Sequence, residues 1–143
     1  MDLTFDDLRK YRSLIFDCDG VILDSNRIKS AGFRAALNDY PKDSVNRLVD
    51  YHLENGGVSR YVKFNYFFRT ILGRKNFTIE LETALIKFQE IILLQLKFCP
   101  LIPGIRDLLA KIEGYGVLCF VISSANQVEL HQILKAHALD GYF

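Results

Sequence analysis

Charge of one sign is what this chain most clearly lacks: 18 lysines and arginines face 17 acidic residues, a formal net charge of +1 at pH 7. A nucleic-acid binder with a basic face is therefore not expected. Cysteine is scarce and odd in number, at Cys18, Cys99 and Cys119, which argues against a disulfide framework and for reduced thiols in a cytoplasmic protein. No basic segment followed by an apolar signal run opens the sequence, so no targeting leader is expected. Long hydrophobic runs are missing too. The most apolar stretch, Ala84 to Leu96, contains Lys87, Gln89, Glu90 and Gln95, and is too short and too polar to cross a bilayer. Internal repeats and low-complexity linkers are absent, and His52, His131 and His137 have no metal-ligand spacing with cysteines or acids. With 50% apolar residues, the chain reads as a soluble globular protein able to bury one sizeable core.

The most informative stretch is Ser13-Leu14-Ile15-Phe16-Asp17-Cys18-Asp19-Gly20-Val21-Ile22-Leu23-Asp24-Ser25. A short apolar run followed at once by Gly20 reads as a buried strand ending at the edge of a parallel sheet. Ligands of open α/β sheets bind at that carboxyl edge. Asp17 and Asp19 share strand parity, and the turn at Gly20 lets both carboxylates converge on one small volume, where two anions call for a cation. The plainer alternative is an ordinary polar turn after a core strand, since Asp and Gly are the usual turn residues. Cys18, on the opposite parity, reads as a small core residue.

The string from Asp17 to Ser25 resembles the first motif of the haloacid dehalogenase (HAD) superfamily of phosphohydrolases. That resemblance implies Asp17 as a nucleophile forming an aspartyl phosphate and Asp19 as general acid and base. It also implies Mg2+ held by the Asp17 carboxylate and the Asp19 main-chain carbonyl, with Gly20 beside the phosphate. A carboxylate is a weak nucleophile, and a hard cation with oxygen ligands would neutralise the incoming phosphate.

A second apolar run, Gly116 to Ile122, ends in Ser123-Ser124-Ala125-Asn126 before a helical pattern and looks like the superfamily's second motif. Ser123, with Ser124 and Asn126, would then bind phosphate, helped by main-chain N–H groups and the positive end of the next helix. The plainer alternative is that Ser124 or Asn126 merely caps that helix.

Between the two runs helical patterns dominate: Asn26 to Tyr40, Lys42 to Glu54 after Pro41 and before Gly56-Gly57, Ser59 to Leu72 before Gly73, and Thr78 to Phe98 before Pro100. Pro103 to Glu113 leads into the second strand. An all-helical insertion at this place resembles the cap of the HAD group that includes phosphoglycolate phosphatase and β-phosphoglucomutase, which closes over substrate and excludes water. The expected fold is thus α/β, a partial Rossmann-like parallel core with an all-helical cap inserted after the first strand. Core residues 1–25 and 99–143 would flank a cap of residues 26–98, with hinges at Asp24 to Asn26 and Cys99 to Pro103. The Ala84 to Leu96 stretch suits a cap or dimer face. Phe64, Phe67, Phe68 and Tyr61 recur at helical spacing and are expected to pack the cap core.

Gly56-Gly57-Val58-Ser59-Arg60 resembles the loop that β-phosphoglucomutase directs into its active site, so Arg60 would clamp the substrate phosphate with its planar fork of donors. The structural alternative makes the glycines a helix stop, Ser59 an N-cap and Arg60 a solvated side chain. The mutase pattern has a histidine where this chain has Lys29, which favours a phosphatase over a phosphomutase. Arg27 and Lys29 could attract an anionic substrate, or simply lie on a solvated helix face.

Nothing after Ser123 matches the family's third-motif lysine or the paired acids of its fourth motif; Lys135 falls within the helix after Ser123. The sequence alone therefore suggests a chain truncated before those motifs, with exposed strand edges that a homo-oligomer would pair. The expectation is a cytoplasmic, magnesium-dependent phosphatase of a small phosphorylated metabolite such as a sugar phosphate, with no nucleic-acid or membrane partner. A phosphomutase, or a catalytically inactive truncated form acting as a binding protein, stands as the alternative.

Overall fold

A computed structural model describes residues 5–143. The chain forms α1 (Phe5–Leu8), β1 (Ser13–Asp17), α2 (Asn26–Ala36), α3 (Lys42–Glu54), α4 (Arg60–Tyr66), α5 (Thr78–Leu96), α6 (Ile105–Gly114), β2 (Leu118–Ile122) and α7 (Gln127–Ala136). A π-helical turn, Phe67–Ile71, continues α4, and a 3-10 turn, Asp140–Tyr142, follows α7. Two compact units result: one of the residues up to Ser25 with Lys97–Phe143, the other Asn26–Leu96.

The first unit is built on β1 and β2, which pair in parallel with Ser13 opposite Leu118 and Asp17 opposite Ile122. A parallel pair needs a long crossover, and here that crossover is the whole helical unit followed by α6. Alternation decides which side is covered. Leu14 and Phe16 lie beside Cys119 and Val121 on the covered face, while Ile15, Leu118, Phe120 and Ile122 are each at least half exposed on the other. The strands are thus not buried on both faces as their apolar runs suggest, because in this two-stranded sheet only one face is covered. Leu109 and Ile112 of α6, Ile133 and Leu134 of α7, and Leu139 form the core on that unit's covered side. Gly104 sits at φ 82°, a left-handed conformation costly for a residue with a Cβ, so α6 begins at Ile105 rather than at Pro103.

The second unit is all helical. α2 packs against α3 and α5, and α4 against α5. Its core is aromatic: Phe33, Phe64, Phe67, Phe68 and Phe88 are all essentially buried, with Phe33 4.4 Å from Phe88 and 5.2 Å from Phe64 between ring centroids. Each such side chain contributes about 1.5–3 kcal/mol by leaving water. Close approach of α2 to α5 depends on Gly32, where a Cβ would stand 2.5 Å from Cγ2 of Ile92.

Helix ends follow local chemistry. α2 stops at Ala36, four residues before the expected Tyr40, with Tyr40 N–H turning back to the Leu37 carbonyl ahead of Pro41; a residue preceding proline avoids helical angles. α5 likewise stops at Leu96, short of Phe98 and Pro100. The expected single helix from Ser59 to Leu72 is an α-helix that widens into the π turn, closed by Leu72 N–H on the Phe67 carbonyl at 3.0 Å. Tyr61 is 56% exposed and outside the core. The buried stripe of this segment runs through Lys63, Phe64, Phe67 and Phe68, and one turn before it lies Arg60, not Tyr61.

Candidate active site

Asp17 is the last residue of β1, directly across from Ile122, the last residue of β2. Ser123 follows Ile122 without a gap, so the Asp17 carboxylate and the Ser123 hydroxyl leave the sheet at the same carboxyl end. Asp17 is exposed, and its Oδ1 accepts the N–H of Cys18 at 2.7 Å. Cys18 itself is buried, as a small core residue should be.

Asp19 lies past the strand, in a turn that its sequence dictates. Gly20 takes φ 76°, its N–H donates to the Leu23 carbonyl at 2.8 Å, and the N–H groups of Ile22 and Leu23 both donate to the Cys18 carbonyl. Only a residue without a Cβ takes that φ at little cost. The next residues are braced from a distant part of the chain, with Asp24 N–H on the Pro100 carbonyl and Ile102 N–H on the Ile22 carbonyl, each 2.9 Å. Asp19 is half-buried, and its Oδ1 accepts a 2.7 Å hydrogen bond from Oγ of the fully buried Ser25. Sequence reasoning singled out Asp19 but not this hydroxyl; the Asp24-Ser25 pair was the only signal, and it does not say which carboxylate the serine meets. The Cys99 thiol feels the same carboxylates: burial pushes its pKa up, and the negative charges of Asp19 and Asp24 push it further.

Across the edge, Ser123 Oγ accepts the Ala125 N–H at 3.1 Å, and Asn126 caps α7 by accepting the Val128 N–H through Oδ1 at 2.8 Å. Ser124 is exposed. The capping alternative for Asn126 is thus realised, and the loop from Ser123 to Asn126 delivers the N-terminus of a ten-residue helix to the edge that carries Asp17.

Asp17, Asp19, Gly20, Ser123, Ser124 and Asn126 therefore all belong to two consecutive strand-to-turn junctions of one unit. Arg60 belongs to the helical unit. It is the first residue of α4, after Ser59, whose Oγ caps the helix by accepting Val62 N–H at 3.4 Å. Its guanidinium lies 6.0 Å from the Phe88 ring centroid, half-buried rather than fully solvated.

Among the described residues no three His, Cys, Asp or Glu side chains cluster as a metal site. The Asp17 carboxylate and the Asp19 main-chain carbonyl nonetheless offer hard oxygens, and Mg2+ is commonly held by one or two carboxylates with substrate phosphate and water completing its shell. The residues fit such an ion.

Residues 14–143 match the model of the haloacid dehalogenase-like hydrolase family. The chain belongs to that family. Solved structures agree on the fold of this HAD member. A protein of Haemophilus somnus described as a predicted phosphoglycolate phosphatase superposes with a TM-score of 0.75 at 18% identity, over 94% of this chain and 60% of that one. A predicted phosphatase of Clostridium acetobutylicum gives 0.71 at 22% identity, over 93% and 58%. A Bacillus subtilis protein, YfnB, described as a HAD hydrolase bound to magnesium, gives 0.63 at 19% identity, over 93% and 62%. The chain thus spans less than two thirds of the length of these structures. No curated protein matches the sequence significantly. Among the described residues no helix is long and apolar enough to cross a membrane.

Proposed function

We propose that the protein is a magnesium-dependent phosphatase acting on a small phosphorylated metabolite, such as a sugar phosphate, through an aspartyl-phosphate intermediate. The observation that carries this reading is the common carboxyl end of β1 and β2, from which Asp17 and Ser123 both emerge, with Asp19 in the adjoining turn. Family membership supports the same chemistry.

In this mechanism an Asp17 carboxylate oxygen attacks phosphorus as the bond to the ester oxygen breaks. Protonated Asp19 gives its proton to that leaving oxygen, so an alcohol departs and an acyl phosphate remains on Asp17. Asp19, now a base, takes a proton from water as the water oxygen attacks phosphorus. Orthophosphate leaves, and Asp17 returns as carboxylate. Ser123 and the N–H groups at the start of α7 hold the phosphoryl oxygens. Arg60 contributes a forked donor to the substrate phosphate. Magnesium, when bound to the Asp17 carboxylate and the Asp19 carbonyl, offsets charge between the carboxylates and the phosphate.

Hydrolysis of p-nitrophenyl phosphate by the full-length protein with magnesium tests this. Asp17→Asn is expected to lower kcat at least about a thousandfold, the scale of losing a nucleophile, and chelation of magnesium to abolish turnover. Equal rates for the parent and Asp17→Asn would refute the mechanism. Free orthophosphate as product, rather than an isomerised sugar phosphate, separates a phosphatase from a mutase.

A further inference from the structure

The helical unit buries a lysine. Lys63 is 2% exposed, although its position one turn into α4 places it in the run of aromatic residues that forms the core. Its Nζ stands 2.9 Å from Nδ1 of His52, near the end of α3, and 3.4 Å from the carbonyl oxygen of Gly56. His52 is itself buried, with its ring centroid 4.9 Å from that of Phe33. Lys63 thus donates to the Gly56 carbonyl and shares a hydrogen bond with His52 Nδ1. Lysine is almost never buried without such partners.

What Lys63 spans is the connection from α3 to α4. This loop is thinly held at its tip: a Cβ built on Gly56 or Gly57 would meet nothing within 4 Å. Both glycines are exposed, and hydrogen bonds hold the chain on either side of them. Asn55 is tied to the Tyr51 carbonyl through both its N–H and its side-chain amide, Val58 N–H reaches the Asn55 carbonyl, and Ser59 caps α4. The Lys63 bond to Gly56 runs from the tip into the buried interior.

We propose that Lys63 and His52 are positioning residues: together they form a buried latch that fixes the Gly56–Ser59 loop and so the direction in which Arg60 presents its guanidinium. Arg60 stands at the head of the same helical turn, three residues before Lys63. The proposal rests on the phosphate-binding role given to Arg60 above and extends it to the residues that aim it.

Hydrogen exchange on the full-length protein, read peptide by peptide, tests the latch without any substrate. Lys63→Met and His52→Leu are expected to speed exchange across residues 55–59 about five- to tenfold, the equivalent of one net hydrogen bond, while α5 keeps its protection. His52→Asn, whose amide oxygen can stand where Nδ1 stands, is expected to restore slow exchange. If Lys63→Met does not fold, the two His52 variants decide. Unchanged loop exchange, a uniform rise through the whole unit, or no difference between His52→Leu and His52→Asn overturns the latch. Kinetics with p-nitrophenyl phosphate then test its purpose. Lys63→Met is expected to raise KM about tenfold with kcat little changed, and to add nothing in an Arg60→Ala background, since coupled residues are not additive. Additive effects overturn the link to Arg60. An Arg60→Ala variant with unchanged KM refutes the role of Arg60 itself, and the exchange result still judges the latch separately.

Discussion

Replacing Phe88 by leucine measures how far the helical unit depends on aromatic geometry rather than on apolar volume. Phe88 is 2% exposed, with the Phe33 ring 4.4 Å away and tilted, the Phe64 ring 5.6 Å away and edge-on, and the Arg60 guanidinium 6.0 Å over its face. Leucine keeps most of the buried surface and loses these directional terms. Each aromatic pair contributes about 0.5–1.5 kcal/mol beyond area, and a partly exposed cation over the ring about 0.5–1 kcal/mol. The expected loss for Phe88→Leu is therefore about 1.5–4 kcal/mol, against about 3–5 kcal/mol for Phe88→Ala, which also leaves a cavity.

Urea denaturation followed by far-ultraviolet circular dichroism reads both variants. Two compact units need not unfold together, so the helical unit's own transition must be resolved, for example by hydrogen exchange of α5. A Phe88→Leu loss below about 0.5 kcal/mol would refute the reasoning, because the ring contacts would then add nothing to volume. A further consequence concerns function. With Arg60 in its proposed role, loss of the surface its guanidinium rests on is expected to raise KM for a phosphomonoester while kcat changes little.

Gly32→Leu is expected to destabilise the helical unit by about 1–3 kcal/mol, since even a Cβ there meets Ile92 at 2.5 Å; a stability titration showing no loss would mean that α2 and α5 do not approach so closely. Asn126→Ala is expected to cost about 1 kcal/mol through loss of the α7 cap, and Asn126→Asp to keep that stability; a phosphate-binding defect in both variants would show that the side chain serves more than capping. Burial raises the thiol pKa values of Cys99 and Cys119, so the unfolded chain ionises these groups before the folded one does. Their contribution to stability is then fully present below the unfolded thiol range, about pH 8.5, and is lost as pH rises through the raised folded values. A Cys99→Ala, Cys119→Ala double variant whose stability falls as steeply as the parent's between pH 8 and 10 would contradict this.

The sequence spoke most clearly where one residue type admits one backbone. Gly20 after two spaced aspartates announced a turn, and the turn is there with φ 76°. Proline and glycine marked the connections between helices for the same reason, although capping and pre-proline geometry moved several helix ends by a few residues. Burial was less legible. Apolar runs such as Leu118 to Ile122 carry no mark of which face will be covered, and half of each strand stands in water in this two-stranded sheet. Side-chain partnerships were the least legible of all. Ser25 lies six residues from the Asp19 that it contacts, and Lys63 looks in sequence like any solvated helix lysine. Its burial depends on His52 arriving from another helix, a coincidence in space that no periodicity encodes. The same holds for Arg60, where sequence allowed a clamp or a solvated side chain. The Phe88 ring gives it a third setting, half-buried on the aromatic core of its own unit, and the Phe88→Leu kinetics test whether that setting bears on the proposed phosphate clamp.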